Sequence, residues 1–409
     1  MRIKKGIFAV LLSAACIVMF TGCSFDTAEI NQIAIVAGIA IDKGDDDYAV
    51  TVQILNPSAI AGETQTLPVY SIKTNGMSIH DAFNKLDQIT TSALSLSHLN
   101  AIVINEEFAK DGIAPVLNFA LRRFDIRPDI SIVIAKDSSA NDILNIVTAL
   151  DMIPASQINV LAMVQRHTGR LTSSNLYETV DLVNTTSSNV VLNAVSIHRE
   201  EEHIDEDVAQ KDGSIGKTSN NGSTVENALD IAEPVQLRIE HLAAFQGDKL
   251  AGFITDAEAQ LYNMIMGKQK RYTIVTEIEK NYYSSLGVAS VKSKISTDLE
   301  NNEATIKMTL TGLILENTYP IDLSTRDNLA IMSEYYKKQF EKDMNDFIKK
   351  TQTEFKSDIF GIGGKAHNHE NKIWIEKEGY WAEIFPELTI NLEVEVKVDT
   401  EGAIGNVTL

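Results

Sequence analysis

Residues 101–135 read AIVINEEFAKDGIAPVLNFALRRFDIRPDISIVIA, and this stretch decides the fold class. Ala101 to Asn105 is short, apolar and β-branched, as a strand covered on both faces must be. Ala114 to Phe124 has the makings of a helix, and Asp129 to Ala135 (DISIVIA) is a second buried strand. Strand, helix, strand in that order predicts a parallel crossover inside a mixed sheet, because parallel neighbours need a connection long enough to return to the same end.

Outward from this unit, Ile33 to Asp42 (IAIVAGIAID) and Tyr48 to Leu55 flank the polar turn 43–47 and predict a hairpin. Val69 to Thr74 offers another strand. Ser78 can cap a helix with Ile79, Phe83, Leu86 and Ile89 at helical spacing. Downstream, Asn141 to Leu150 and Ser156 to Val164 predict helices separated by Pro154, and Val190 to Ile197 a strand. The segment His198 to Glu233 carries ten acids against three bases and several Gly, Ser and Asn residues, which describes a solvated loop or linker. Strands at Gln236 to Phe245 and Lys249 to Ile254 follow, then a helix through Ile265 capped by Thr255 or Asp256. Val288 to Ser296 and Ala304 to Asn317 alternate as a long hairpin around Asn301-Asn302. Ser324 and Asp327 open the longest helix, with Leu329, Met332, Tyr336, Phe340, Met344, Phe347, Thr351 and Phe355 on one face. Leu388 to Val398 alternates strictly as a final strand.

The fold class expected is therefore α+β, or mixed α/β, in more than one domain. Mixed sheets pack against helices, and a C-terminal module sets antiparallel strands against one long helix. The expected parts are 1–22 as signal peptide, 23–197 as an N-terminal α/β domain, and 198–235 as an acidic linker or loop. Residues 236–409 form a C-terminal α+β region, with two subdomains at about 236–280 and 281–409 as an option.

The N-terminus carries its own chemistry. Arg2, Lys4 and Lys5 precede the apolar run Ile7 to Phe20, and Thr21-Gly22-Cys23 puts small residues before a cysteine. A basic start, a short apolar run and a small-residue cleavage site describe a secretory signal. A spanning helix needs about 20 apolar residues. The Cys23 context resembles the bacterial lipobox, with Phe20 in place of the usual Leu. The resemblance implies a diacylglyceryl group on Cys23 as the mature N-terminus, and two acyl chains hold a protein lastingly at a membrane. Cys16, the only other cysteine, leaves with the signal, so the mature chain has no disulfide or thiolate metal site.

The chain carries a net charge of −20, which becomes −23 once the three basic residues of 1–22 are gone. An acidic body is repelled by nucleic-acid phosphates and anionic headgroups, so no nucleic-acid partner is expected and the membrane is reached through lipid.

Several stretches, in order along nearly the whole chain, resemble one family. They are Cys23, Asp26 and Glu29-Ile30-Asn31 before the Ile33–Asp42 run; Leu121-Arg122-Arg123-Phe124-Asp125-Ile126-Arg127-Pro128-Asp129-Ile130; Ala243 to Phe253; Lys356-Ser357-Asp358-Ile359-Phe360-Gly361-Ile362-Gly363; Trp374; and Trp381-Ala382-Glu383-Ile384-Phe385-Pro386. Together they look like the C-subunit lipoproteins of spore germinant receptors, the Ger(x)C family. That family usually has Trp after the lipid cysteine, where this chain has Ser24-Phe25. The resemblance implies a protein tethered by lipid to the outer face of the spore's inner membrane. Its implied partners are two integral membrane subunits, in a complex that answers nutrients by triggering germination. It implies no cofactor and no enzymatic chemistry.

Catalytic and binding motifs depend on their context. Gly361-Ile362-Gly363-Gly364-Lys365-Ala366 fits a loose G-x-G-x-x-A, but a dinucleotide turn needs a strand before it and here a helix precedes, so a helix-ending turn is expected. Gly216-Lys217-Thr218 imitates a P-loop end without its first glycine and reads as polar loop. His367 and His369, or His198 and His203, could share a metal, yet neither pair has zinc-hydrolase spacing, and surface histidines are the simpler reading. The basic cluster Arg122 to Arg127 either contacts an anion or partner or pairs internally. Trp374 and Trp381 read as core before interface. A solute-binding lipoprotein of a transporter is the alternative and would need two similar doubly wound lobes. A lipid-anchored wall hydrolase would need paired carboxylates that a sequence does not reveal.

Overall fold

The computed structural model describes residues 33–45, 47–148, 151–164, 169–173, 175–199, 235–268 and 272–399. The signal and lipid-site reading of Met1 to Cys23, His203, the Gly216-Lys217-Thr218 loop and nearly all of the acidic tract lie outside the described residues.

β1 (Ile33–Lys43) and β2 (Tyr48–Leu55) make the expected hairpin, paired from Lys43↔Tyr48 to Val36↔Ile54, and β3 (Val69–Gly76) joins β2 antiparallel. α1 (Ile79–Ile89) starts at Ser78, whose hydroxyl accepts the Asp81 N–H at 3.1 Å. Ile79, Phe83 and Leu86 are buried, whereas Ile89, the last residue of the helix, is 59% exposed. β4 (Ala93–Ser95) and β5 (Ala101–Asn105) both run parallel to β1. α2 (Glu106–Asp111) and α3 (Ala114–Arg122) then carry the chain to β6 (Ser131–Ala135), parallel to β5 over all five residues. The crossover read from residues 101–135 is present.

α4 (Ala140–Asn145), α5 (Pro154–Val164) and α6 (Leu176–Val183) precede β7 (Val191–Arg199), again parallel to its neighbour β6. Pro154 opens α5, where a missing N–H costs nothing, so it begins that helix. α6, with its Asn175 cap, was not expected from the sequence.

β8 (Val235–Gln246) and β9 (Lys249–Ile254) continue the same sheet antiparallel. The large sheet has the order β3-β2-β1-β5-β6-β7-β8-β9, parallel in the centre and antiparallel on both flanks. It therefore draws strands from both expected domains, 23–197 and 236–409, and the acidic tract connects two adjacent strands of one sheet. The reason is the unpaired N–H and C=O groups along β7, which a strand distant in sequence can satisfy as well as a near one.

α7 (Asp256–Ile265) has a complete capping box, with the Thr255 hydroxyl and the Glu258 side chain bonding reciprocally to backbone N–H groups. β10 (Tyr272–Glu279), β11 (Tyr282–Asp298) and β12 (Glu303–Asn317) form an antiparallel meander. The optional subdomain border near 280 falls inside the β10–β11 hairpin. α8 (Arg326–Lys350) spans about 37 Å at 1.5 Å per residue. Its cap is Thr325, one residue after the expected Ser324, and its predicted stripe is buried. Each large side chain so buried contributes roughly 1.5–3 kcal/mol relative to exposure. The helix widens into a π turn at Thr351–Phe355. After α9 (Ile362–His369), α10 (Asn371–Lys377) and α11 (Trp381–Ile384), β13 (Thr389–Asp399) pairs with β12. That last pairing is parallel, from Glu303↔Thr389 to Leu313↔Asp399, because the return along α8 brings the chain back to the same end.

Among the described residues the fold is thus mixed α+β with two unlike sheets, of nine and four strands, in place of the paired similar lobes a solute-binding protein would need. One hydrophobic core runs unbroken from Ala37 and Val133 on the large sheet to Met308 and Phe347 under the small one. A second lies on the opposite face, where Phe83 stacks on Phe119 at 4.8 Å. Gly38 is required where α5 crosses β1, since a Cβ there would stand 2.7 Å from that of Ala155. Among the described residues no helix is long and apolar enough to cross a membrane.

Candidate functional site

The segment after the π turn holds the motif that carries most of the chemistry expected near the C-terminus. Lys356 takes a left-handed conformation and turns the chain. The Ser357 hydroxyl donates to the Phe245 carbonyl at 2.5 Å, and the Asn189 N–H donates to the Asp358 carbonyl at 3.0 Å. These bonds fasten the segment to β8 and to the loop before β7. Asp358 is buried, and its carboxylate accepts the Ile362 N–H at 3.0 Å, the Gly363 N–H at 2.8 Å and the Trp381 indole N–H at 3.0 Å. Burial pushes this carboxyl up, opposed by the three donors.

Gly361-Ile362-Gly363 thus opens α9, where the sequence had suggested only a turn ending a helix. The backbone N–H groups that a phosphate would need are already taken by Asp358. Trp374 and Trp381 are both buried, edge to face at 5.1 Å, as expected of core residues. His367 and His369 sit on α9, two residues and about 200° apart on a helix, and both are exposed. His198 lies on β7. Among the described residues no group of three or more His, Cys, Asp or Glu side chains is placed to hold a metal ion.

A groove of about 910 Å³ lies between α7, the free edge of β10 and α8. Its described lining contains neither histidine nor cysteine. The Lys350 ammonium bridges both Glu258 oxygens, at 2.9 and 3.0 Å, and lies 5.2 Å from the centre of the Phe355 ring. Arg170 pairs with Asp256 at 3.4 Å, while burial pushes the Asp256 carboxyl up. Gln339 binds both oxygens of Asp343 at 2.8 Å. With Glu277, Asp346 and Glu354 beside these, acids outnumber bases. Such a wall suits a polar or cationic contact.

The basic cluster divides. Arg123 forks onto Asp125 with two bonds of 2.9 Å, and Arg127 pairs loosely with Asp129 at 3.3 Å. Arg122 has no ion pair among the described residues and is exposed. Phe124 between them is fully exposed.

Comparison with known proteins decides the family. Residues 26–197 match the model of the spore germination protein N-terminal domain, and residues 240–402 match that of the spore germination B3/GerAC-like C-terminal domain. The chain belongs to the Ger(x)C family. Relatives of this Ger(x)C protein include spore germination protein KC of Bacillus subtilis (strain 168), 27% identical over 99% of this chain and 98% of that one. Spore germination protein B3 of the same organism is 21% identical over 98% of each chain. In structure the chain resembles the crystal structure of the GerBC protein, with a TM-score of 0.50 at 17% identity, covering 89% of this chain and 97% of that one. That likeness bears on the fold, and the mixed two-sheet architecture agrees with it. In this Ger(x)C protein Ser357 to Phe360, Ile362, Gly363, Trp374, Trp381 and Phe385, among the residues that carry the family resemblance, form a buried joint. Sequence reading did not single out Asp358, although an acid flanked by Ser357 and an apolar run before a glycine pair is the signal for it.

Proposed function

We propose that this chain is a lipid-anchored, non-enzymatic subunit of a germinant receptor. It is held through Cys23 on the outer face of the spore's inner membrane, after removal of residues 1–22. It works with two integral membrane subunits in nutrient-triggered germination. The observation that carries the reading is similarity over essentially the full length to proteins described as spore germination proteins. It is supported by the basic, apolar and Thr21-Gly22-Cys23 run at the N-terminus, and by an acidic surface suited to contacts with neighbours more than to bare headgroups.

The test is Cys23→Ala in the native host. The variant should incorporate no fatty-acid label, move from the membrane to the soluble fraction, and leave spores slow to respond to nutrient. Undiminished labelling and membrane retention would sink the anchoring. Crosslinking in intact spores, followed by identification of the captured chains, tests the partnership: two integral membrane proteins should be recovered.

A further inference from the structure

We propose that Phe124, flanked by Arg122 and Arg127, is the point at which the body of this protein touches the lipid bilayer. The proposal rests on the anchoring of Cys23 and adds the orientation of the body to it.

The tip is built, not loose. The Arg123–Asp125 fork closes it, and Asp125 Oδ2 also accepts the Leu96 N–H at 3.2 Å. Ile126 is buried and its N–H donates to the Arg123 carbonyl, while the Pro128 carbonyl accepts the Tyr177 N–H at 3.0 Å. Burial pushes the Asp125 carboxyl up, but the Arg123 and Leu96 bonds outweigh that and hold it below the ordinary value, so it stays charged. On this frame Phe124 is 101% exposed, and Leu121 beside it is 58% exposed. A fixed loop that displays a whole phenyl ring to water leaves that ring available to an apolar surface outside its own chain.

Placement supplies the occupant. β1 pairs with β4 from Ile33↔Ala93 to Ile35↔Ser95, and the next residue, Leu96, is the one bonded to Asp125. The Asn100 N–H donates to the Ala37 carbonyl and the Ser131 N–H to the Asn100 carbonyl, so the loop carrying Phe124 and the start of β1 lie toward the same end of the sheet's parallel strands. Cys23 is ten residues before Ile33. Ten residues reach at most about 33–36 Å when fully extended. A lipid on Cys23 therefore holds the start of β1, and with it this end of the sheet, within about 33–36 Å of the bilayer.

The chemistry fits that position. An aromatic ring enters the interface while guanidinium groups meet lipid phosphates. Arg122 is unpaired among the described residues, and Arg127 is 53% exposed beside an Asp129 that is 69% exposed, so both can turn to an anion. With −23 on residues 23–409, the free body is repelled by an anionic surface, and the tip engages only when the tether raises its local concentration.

The mature chain 23–409 has Cys23 as its single thiol, which allows the test. Phe124→Trp protein is coupled through Cys23 to maleimide-bearing vesicles of phosphatidylcholine and phosphatidylglycerol, with and without brominated acyl chains. The native Trp374 and Trp381 are buried and supply the parent signal to subtract. The added emission should shift to the blue and be lost with brominated lipid; Arg122→Glu with Arg127→Glu should restore it. A Leu315→Trp control, on an exposed residue of the small sheet, should be indifferent to bromine. Coupled Phe124→Trp protein whose added emission is unchanged by bromine would overturn the proposal. So would a blue shift that appears only when integral membrane proteins are added, since Phe124 would then be a protein contact. Failure of anchoring itself is read separately, from fatty-acid labelling of native Cys23.

Discussion

The indole N–H of Trp381 donates to the carboxylate of Asp358 at 3.0 Å, and both side chains are shut away from solvent. This bond ties α11 to the start of α9, and through Ser357 and Asn189 to the large sheet. Trp381→Phe keeps most of the packing and removes one bond to a buried carboxylate, which should cost about 1.5–3 kcal/mol. Asp358→Ala strands three donors and should cost more. Urea midpoints of the two variants check the order; equal stability to the parent in Trp381→Phe would show the bond to be idle.

Gly363 lies under the two tryptophans. A Cβ there would come 2.8 Å from Trp374 Cη2, 2.8 Å from Trp381 Nε1 and 2.9 Å from the Ser187 carbonyl oxygen. Gly363→Ala should lower stability by about 1–3 kcal/mol, the usual cost of overfilling a packed core. Gly379→Ala, where nothing lies within 4 Å, should be near neutral. Thermal melts of the pair separate crowding from any general effect of losing a glycine.

Tyr336 of α8 donates its hydroxyl to Ser284 of β11 at 2.6 Å in a buried setting. Ser284 in turn donates to the Glu316 carbonyl at 3.1 Å. Tyr336→Phe should cost about 1 kcal/mol, since the ring stays and Ser284 keeps its donor bond. A double-mutant cycle with Ser284→Ala should show coupling, and additive losses would argue against a direct interaction.

His241 on β8 gives the stability a pH dependence. Burial pushes its imidazole down first, Lys136 adds to this, and Glu240, Asp137 and Asp256 oppose it. The unfolded chain takes up a proton near the ordinary value of 6.5, before the folded one does. The contribution is therefore intact above that value and is lost as pH falls towards the folded pKa. Chemical denaturation between pH 7.5 and 5 should show a decline that His241→Asn reduces, and parallel profiles would contradict it; those pH settings bracket the range in which an ordinary histidine, about 6.5, titrates.

Nearly every strand and long helix was legible because the signals are local. The 101–135 crossover, the 33–55 hairpin and the α8 stripe each show a burial period that neighbouring residues suffice to reveal. β4, β10, α2, α6 and the short helices α9 to α11 were missed. β10 has only Ile274, Val275 and Ile278 as aliphatic residues among threonines and glutamates, and α6 is just eight residues long. The groove beside α8 could not be read, since Glu258 and Lys350 meet across 92 residues. Phe124 was legible as part of a basic cluster, but its full exposure was not.

From its own residues the chain settles which segments extend and which coil, because alternation and helical period are written in adjacent positions. It also provides the two cysteines, Cys16 and Cys23, and the acidic balance. Which strands become neighbours was settled only in three dimensions. β8 joins β7 across the acidic tract, and β13 lies parallel to β12 beyond α8. Backbone hydrogen bonding is blind to side-chain identity, so strand order follows from packing the whole chain and not from any one stretch of it.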